Sequence, residues 1–268
     1  MKDRLQLAIE LARRAGGLIL EGQNSSLQIS RKGQNDLVTD YDFKSEQMLV
    51  NGILKAYPED RILAEEGTNT GSSSGGQGQA GDAEHLWLID PIDGTTNYAH
   101  GLPFYSVSIG LMMNDSLALG VIYDPARDEL FHAIKGGGAW LGDVPLRVSE
   151  TRTLEDSLLV TGFPYDIRTN ANNNLNHFVE LSKLTRGVRR LGSAALDLAY
   201  VAAGRLDGFW ELRLNPWDWA AGVLLTQEAG GRVTTFDGGD KVIGGDETLL
   251  ATNGHLHEPL QQVLQQGT

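Results

Sequence analysis

The chain has 268 residues, enough for one large domain or two closely packed halves around a substantial core. Thirty-five acidic residues against 22 basic ones give a formal charge of −13, which opposes non-specific binding to nucleic acid or to an anionic membrane surface. No cysteine is present, so disulfides, thiolate metal sites and cysteine nucleophiles are excluded.

Leu5, Ala8, Leu11, Ala12, Ala15, Leu18 and Ile19 recur at helical spacing, which predicts an amphipathic helix over the first 22 residues, ending near Gly22. Charges interrupt this segment, so it is no signal peptide. No later stretch approaches the ~20 apolar residues of a membrane span. The expectation is a soluble cytoplasmic protein without membrane association. Residues 27–30 are a short strand, residues 32–35 a turn, and residues 36–42 open a second helix that Asp40 or Asp42 can cap and Tyr57-Pro58 stops. A strand over residues 61–64 runs into Glu65-Glu66-Gly67. Residues 68–83 are rich in Gly, Ser and Gln and read as a flexible surface insertion. Residues 71–75 match G-x-S-x-G, but no apolar strand precedes them and no helix follows, so the match is chance.

Trp87, Leu88 and Ile89 form a buried strand that brings Asp90 to the start of a loop, where Pro91 forbids a continuing ladder. Asp90 and Asp93 then converge from a tight turn with the Ile92 carbonyl between them. Gly94, Thr95 and Thr96 open a short helix whose free N–H groups and positive dipole end attract an anion such as phosphate. Asp-Pro and Asp-Gly are each ordinary turn pairs. Their conjunction with Gly-Thr-Thr points to a metal cluster beside a phosphate cradle.

Residues 104–113 and 117–123 form a hairpin about Asn114-Asp115, and residues 130–134 and 139–141 continue an antiparallel meander bent at the glycines 136–138. Strands follow at 157–161, 207–212, 232–234 and 248–252, and helices at 170–184, 193–203, 217–229 and from about His255. This order indicates an α/β (α+β) layered protein. An N-terminal α+β half, residues 1–145, would carry most of the candidate ligands. A C-terminal half, residues 146–268, would carry Asp218, the two forming one unit.

Acidic residues end or begin elements at Glu65-Glu66, at Asp90 with Asp93, and at Asp218 between Trp217 and Trp219. Singly these are surface charges or caps. Together they supply carboxylate and carbonyl oxygens, a hard donor set that suits Mg²⁺ or Mn²⁺ and not zinc. The six histidines show no H-E-x-x-H pattern and stay outside the site.

With Trp87-Leu88-Ile89-Asp90-Pro91-Ile92-Asp93-Gly94-Thr95-Thr96-Asn97, Asn215-Pro216-Trp217-Asp218-Trp219-Ala220-Ala221-Gly222 and Glu228-Ala229-Gly230-Gly231, the chain resembles the inositol monophosphatase family of metal-dependent, lithium-sensitive phosphatases. Asp36-Leu37-Val38-Thr39 with Asp42, Glu65-Glu66 and Gly192-Ser193-Ala194-Ala195-Leu196-Asp197 support the resemblance, which extends from the first helix to about Gly231. It implies a layered αβαβα sandwich of the metal-dependent sugar phosphatase type, paired as a homodimer. Glu66, Asp90 and the Ile92 carbonyl would hold one Mg²⁺, and Asp90, Asp93 and Asp218 a second, with a third, looser ion near Glu66. Mn²⁺ would substitute, and Li⁺ and Ca²⁺ would inhibit. Asp93 and the amides of Gly94 and Thr95 would face the phosphate. Glu66 and Thr95 would orient the attacking water, with Asp42 polarising Thr95. Gly192, Ser193, Ala194 and Glu211 would line the sugar side, with Lys32 a further electrostatic candidate. Arg186, Arg189 and Arg190 read as a solvated or dimer-facing group, with phosphate binding the minority reading.

The resulting expectation is a Mg²⁺-dependent phosphomonoesterase that hydrolyses myo-inositol 1-phosphate and related polyol phosphates by metal-activated water. The same fold also accommodates fructose-1,6-bisphosphatase and histidinol-phosphate or nucleotide 3′-phosphatase activities. A bisphosphate would need a second anion pocket, for which no basic cluster near Glu211 is evident in the sequence. A partner protein of the transcription machinery, with or without catalysis, is the reading from another class. Aspartyl-phosphate chemistry at Asp40-Tyr41-Asp42 is disfavoured by Lys44 and by the lack of a strand-end nucleophile.

Overall fold

The computed structural model describes residues 1–23, 28–31, 37–68, 85–241, 243–245 and 247–266. Lys32, the turn at 32–35 and residues 69–83, with the G-x-S-x-G match, lie outside the described residues. The fold is a five-layer αβαβα sandwich, as the resemblance implied. Its first layer is α1 (Lys2–Gln23) with α2 (Asp40–Ala56), packed on a seven-stranded sheet. That sheet runs in the order β3 (Arg61–Ala64), β4 (His85–Asp93), β5 (Ser106–Met113), β6 (Ser116–Asp124), β7 (Glu129–Ile134), β8 (Ala139–Leu141) and β9 (Val144–Pro145). The predicted meander accounts for β5 through β8. The short β1 (Ile29–Arg31) and β2 (Leu37–Thr39) pair antiparallel beside it.

The central helical layer is α5 (Ala194–Ala202) and α6 (Pro216–Glu228), which contact both sheets. Apolar on every side, α6 buries Trp219 through Thr226 as one continuous run. Gly110 and Gly120 permit the approach: a Cβ on Gly120 would lie 2.8 Å from the Ala221 carbonyl oxygen. The second sheet has the order β11 (Gly187–Arg189), β10 (Leu158–Thr161), β12 (Gly208–Leu212), β14 (Thr248–Thr252) and β13 (Arg232–Thr234). Its far face is covered by α4 (Leu175–Leu184) and α7 (His257–Gln266). One apolar cluster fills the space between α1, α2 and the first sheet, and two more fill the central layer. Among the described residues no helix is long and apolar enough to cross a membrane.

Three local expectations change. Residues 37–39 are a strand, and Thr39, not Asp40 or Asp42, caps α2, in a capping box whose third helical residue is Asp42. The ladder of β4 continues past Pro91 to Asp93, because a register shift lets Pro91 sit where no bond is required of its nitrogen. Helix α4 begins at Leu175; the preceding polar residues form turns in which Asn172 and Leu175 amides bond to asparagine side chains.

Candidate active site

The bulge in β4 builds the centre of the site. Asp90 pairs with Ser108 and Asp93 with Ser106, so three residue steps on β4 oppose two on β5. In a regular strand, residues three apart face opposite ways. The extra residue turns Asp90 and Asp93 toward one cleft, whose wall also includes Ile92, Gly94 and Thr95. Asp90 is fixed by the Ile92 amide, which donates to its Oδ1 at 3.0 Å.

Glu65 approaches from β3. Its amide donates to the Ile89 carbonyl at 3.2 Å, extending the parallel β3–β4 pairing by one residue and setting its carboxyl in contact with that of Asp90. This corrects the expectation for Glu66. The chain turns immediately after Glu65, and the Glu66 and Thr68 amides donate to the buried carboxylate of Glu46 at 2.7 and 3.0 Å. Glu65 therefore lines the cleft, and Glu66 does not. The sequence placed an acidic pair here without revealing which member faces inward; the added parallel bond decides it.

Asp218 comes from the first turn of α6, where Pro216 occupies the opening position and Asn215 the cap. The Asn215 amide donates to Asp218 Oδ2 at 2.7 Å, and Ser108 Oγ donates to the Trp217 carbonyl at 3.2 Å, which pins this helix end to β5 beside Asp90.

Asp93 ties the first sheet to the central helical layer. Its Oδ2 accepts from Ser193 Oγ at 2.5 Å and from the Ala195 amide at 2.7 Å, and its Oδ1 accepts from the Ala194 amide at 3.3 Å. Asp93 thus serves as an anionic cap on α5 supplied from a distant strand. Gly192 takes φ +92°, and a Cβ there would meet Arg190 Nη1 at 2.7 Å and the Asn97 amide at 3.0 Å. Gly192, Ser193 and Ala194 all line the cleft.

At the turn after β4, Gly94 has φ +97°, and a Cβ would lie 3.0 Å from the Gly192 carbonyl and 3.1 Å from that of Phe104. Only glycine fits that conformation and contact. The helix it opens, α3 (Thr95–Ala99), is short. Thr95 Oγ1 lies 3.0 Å from Asp42 Oδ1 and 2.9 Å from the Ile92 carbonyl. Asp42 is fully buried and also accepts from the Thr39 amide and hydroxyl.

Electrostatics mark the same centre. Burial, then the charges of Glu65, Asp93 and Asp218, push the Asp90 carboxyl well above the usual range. Asp218 rises for the same reason, burial first and then Asp93 and Glu65. Burial raises Asp93 to about 6, held down by the bonds from Ser193 and Ala195. Acids packed this closely need protons or a cation between them. Their donors are all oxygen, with the Ile92 carbonyl among them, which fits a hard divalent ion. Among the described residues no three such side chains close tightly enough to form a ready-made cage. The site is open on the cleft side.

The cleft, of about 480 Å³, is also lined by Glu211. Burial lifts Glu211 to about 8, moderated by Arg190. Three arginines that sequence reasoning left outside the site, Arg168, Arg190 and Arg213, also line it. Arg213 is committed to Asp166 at 2.8 Å and to the Asn172 carbonyl at 2.7 Å. Arg190, expected in solvent or at a dimer face with Arg186 and Arg189, is indeed exposed, but it stands on the cleft wall within electrostatic reach of Asp93, Asp197 and Glu211.

Comparison with known proteins points one way. A sequence profile of the inositol monophosphatase family matches residues 1–268. An inositol-1-monophosphatase of Synechocystis sp. is 46% identical over 261 residues, covering 97% of this chain and 88% of the relative. The Nus factor SuhB of Escherichia coli is 40% identical over 273 residues, covering 98% and 99%. The solved structure of inositol monophosphatase from Anabaena (Nostoc) sp. superposes with a TM-score of 0.88 at 44% identity, covering 100% of this chain and 97% of that one.

Proposed function

The chain belongs to the inositol monophosphatase family, and from that membership we propose that it is a Mg²⁺-dependent phosphomonoesterase that releases phosphate from myo-inositol 1-phosphate and related polyol phosphates. The observation that carries the reading is the convergence of Glu65, Asp90, Asp93 and Asp218 on one cleft beside Gly94 and Thr95. Glu65, Asp90 and the Ile92 carbonyl would hold one ion, and Asp90, Asp93 and Asp218 a second, with a looser third site on the solvent side of Glu65. Such a pair of ions supplies charge neutralisation at the phosphoryl group and lowers the pKa of an attacking water.

The protein's own groups do the rest. The Gly94 and Thr95 amides bind phosphoryl oxygens, acting as fixed donors that need no reorganisation. With its single proton directed to the Asp42 carboxylate in preference to the Ile92 carbonyl, Thr95 Oγ1 would have a lone pair to accept from the attacking water. Asp93 holds the mouth of α5 against the cleft floor, and Glu211 accepts from hydroxyls of the polyol. Mn²⁺ would replace Mg²⁺, and Li⁺ and Ca²⁺ would inhibit. The active form is a homodimer.

A panel of phosphate esters assayed by phosphate release with Mg²⁺ tests this. Inositol 1-phosphate should be turned over with the highest kcat/KM, whereas faster turnover of histidinol phosphate or fructose 1,6-bisphosphate would reject the substrate assignment. A second reading, a partner of the transcription machinery, draws on the relative named Nus factor SuhB. Co-purification of RNA polymerase subunits with the tagged protein would support it, and their absence would remove it.

A further inference from the structure

Asp197 stands in the first turns of α5, one turn beyond the Ser193 cap, on the helix that Asp93 holds to the cleft. Its side chain is 1% exposed, it belongs to the cleft wall, and its Oδ1 has no hydrogen-bond partner among the described residues. An acid placed only to favour a helix N-terminus would sit in water, where the dipole is served at no desolvation cost. A buried carboxyl oxygen left unpaired is costly, and an apolar residue of similar size would avoid the cost. The charged groups that face it are Glu211, Asp93 and Arg190, all of them cleft residues.

Glu211 is its natural counterpart. It reaches the cleft from β12 and packs so closely over the residue that follows β10 that a Cβ on Gly162 would lie 2.1 Å from Glu211 Oε1. Two buried carboxyl groups from different elements thus line the same cleft and face one another electrostatically. Neither is needed to hold an ion or a phosphoryl oxygen. Acceptors so placed match a ligand that brings several O–H donors at fixed spacing, which a polyol ring does and a simple aryl or alkyl ester does not.

We propose that Asp197 is a specificity-determining residue that works with Glu211, the two carboxyl groups accepting hydrogen bonds from different hydroxyls of the polyol and so selecting polyhydroxylated phosphate esters. This rests on the phosphomonoesterase reading above and extends it from one polyol contact to two.

The test compares Asp197→Asn and Asp197→Ala with the unaltered protein in Mg²⁺, on myo-inositol 1-phosphate and on phenyl phosphate, with thermal melting measured for each protein. The expected result is a KM for inositol 1-phosphate raised about tenfold in Asp197→Ala, and less in Asp197→Asn, which keeps one acceptor oxygen. The kcat and both constants for phenyl phosphate should stay within about threefold, and melting should not fall. An equal loss on both esters would make Asp197 a structural residue and overturn the proposal. So would an undiminished preference for inositol 1-phosphate in both variants, which would leave the phosphomonoesterase reading standing. An unaltered protein that hydrolyses both esters equally well would overturn the polyol reading and this inference together.

Discussion

Thr95 Oγ1 and Asp42 Oδ1 lie 3.0 Å apart, joining the turn after β4 to the first turn of α2. The other carboxylate oxygen accepts from the Thr39 amide at 2.8 Å and the Thr39 hydroxyl at 2.6 Å, so Asp42 is both part of a helix cap and the acceptor that orients Thr95. Asp42→Asn places an N–H₂ group where a hydroxyl donor must be accepted, and Thr95 then turns toward the Ile92 carbonyl. The expected outcome is a kcat lowered about a hundredfold with KM changed less than about threefold. Thr39→Ala controls for the cap alone: it should cost about 1 kcal/mol of stability and little activity. Equal loss of activity in the two variants would remove the orienting role of Asp42.

The acidic pair at the end of β3 gives a second contrast. Glu65 contacts Asp90, and Glu66 presents its amide to Glu46. Glu65→Gln should lower Mg²⁺ affinity at least about tenfold and activity with it, while Glu66→Gln should leave Mg²⁺ affinity within about threefold. Mn²⁺ binding followed by electron paramagnetic resonance reads affinity without turnover. The reverse ranking would return the ligand role to Glu66.

These two predictions differ in how far the sequence anticipates them. The layered architecture was legible because each element is bounded by strong signals, such as the alternation of long apolar strands with Ala-rich helices and the glycines that let α6 lie on β5 and β6. Asp90, Asp93 and Asp218 were legible because their motif spacing and a helix start mark them, although it is a bulge in a continuing ladder, and not a strand end at Pro91, that brings Asp90 and Asp93 together. Glu65 was not: at a strand end the inward side is set by how many ladder bonds continue, which here depends on Ile89, far along the chain. Asp197 and Arg190 were missed for a related reason. An acid in a helical first turn and an arginine in a basic cluster read as solvated groups; the tether from Asp93 brings α5 to the cleft and buries Asp197 there, while Arg190 stays exposed on the cleft wall.

Gly162 is held small by its neighbour. A Cβ there would fall 2.1–2.3 Å from the Glu211 carboxyl, so Gly162→Ala must displace that group. The expected result is a KM for inositol 1-phosphate raised about tenfold, with phenyl phosphate hydrolysis little altered. Glu211→Ala should reproduce the pattern, and the double variant should add nothing further. Additive losses would show that Gly162 acts through another group.

Asp90 and Asp218 are pushed well up by burial and mutual repulsion, and Asp93 to about 6. Folded-state values above the unfolded value of 3.8 mean that the folded chain holds protons the unfolded chain has shed. In chelator, stability should therefore fall as pH rises from about 5 to 8, by several degrees in melting temperature. Saturating Mg²⁺ should remove most of that fall, since it binds the folded state and neutralises the acids. Asp218→Asn should shrink both the fall and the Mg²⁺ response. A melting temperature in chelator that does not change over this range would contradict the crowded-acid account.

His257 works in the opposite sense. Its ring is completely buried between Thr234, whose Oγ1 lies 2.8 Å from Nε2, and Thr252, whose Oγ1 lies 3.0 Å from Nδ1. Thr234 gives its proton to the Thr235 carbonyl at 2.6 Å, so it accepts from Nε2–H, and Nδ1 accepts from Thr252. A proton added at Nδ1 would face a donor. Burial, then the charge of Arg232, lowers the imidazole from 6.5 to about 4. Between those values the unfolded chain binds the extra proton, so the contribution is fully present above about pH 6.5 and is lost as pH falls toward 4. The loss is on the order of 2–3 kcal/mol. Urea midpoints for the unaltered protein and His257→Gln, each at pH 7.5 and 4.5, isolate it from the carboxylates. The drop on acidification should be smaller in His257→Gln by about 2 kcal/mol, and an equal drop in both proteins would show that His257 is already protonated when folded.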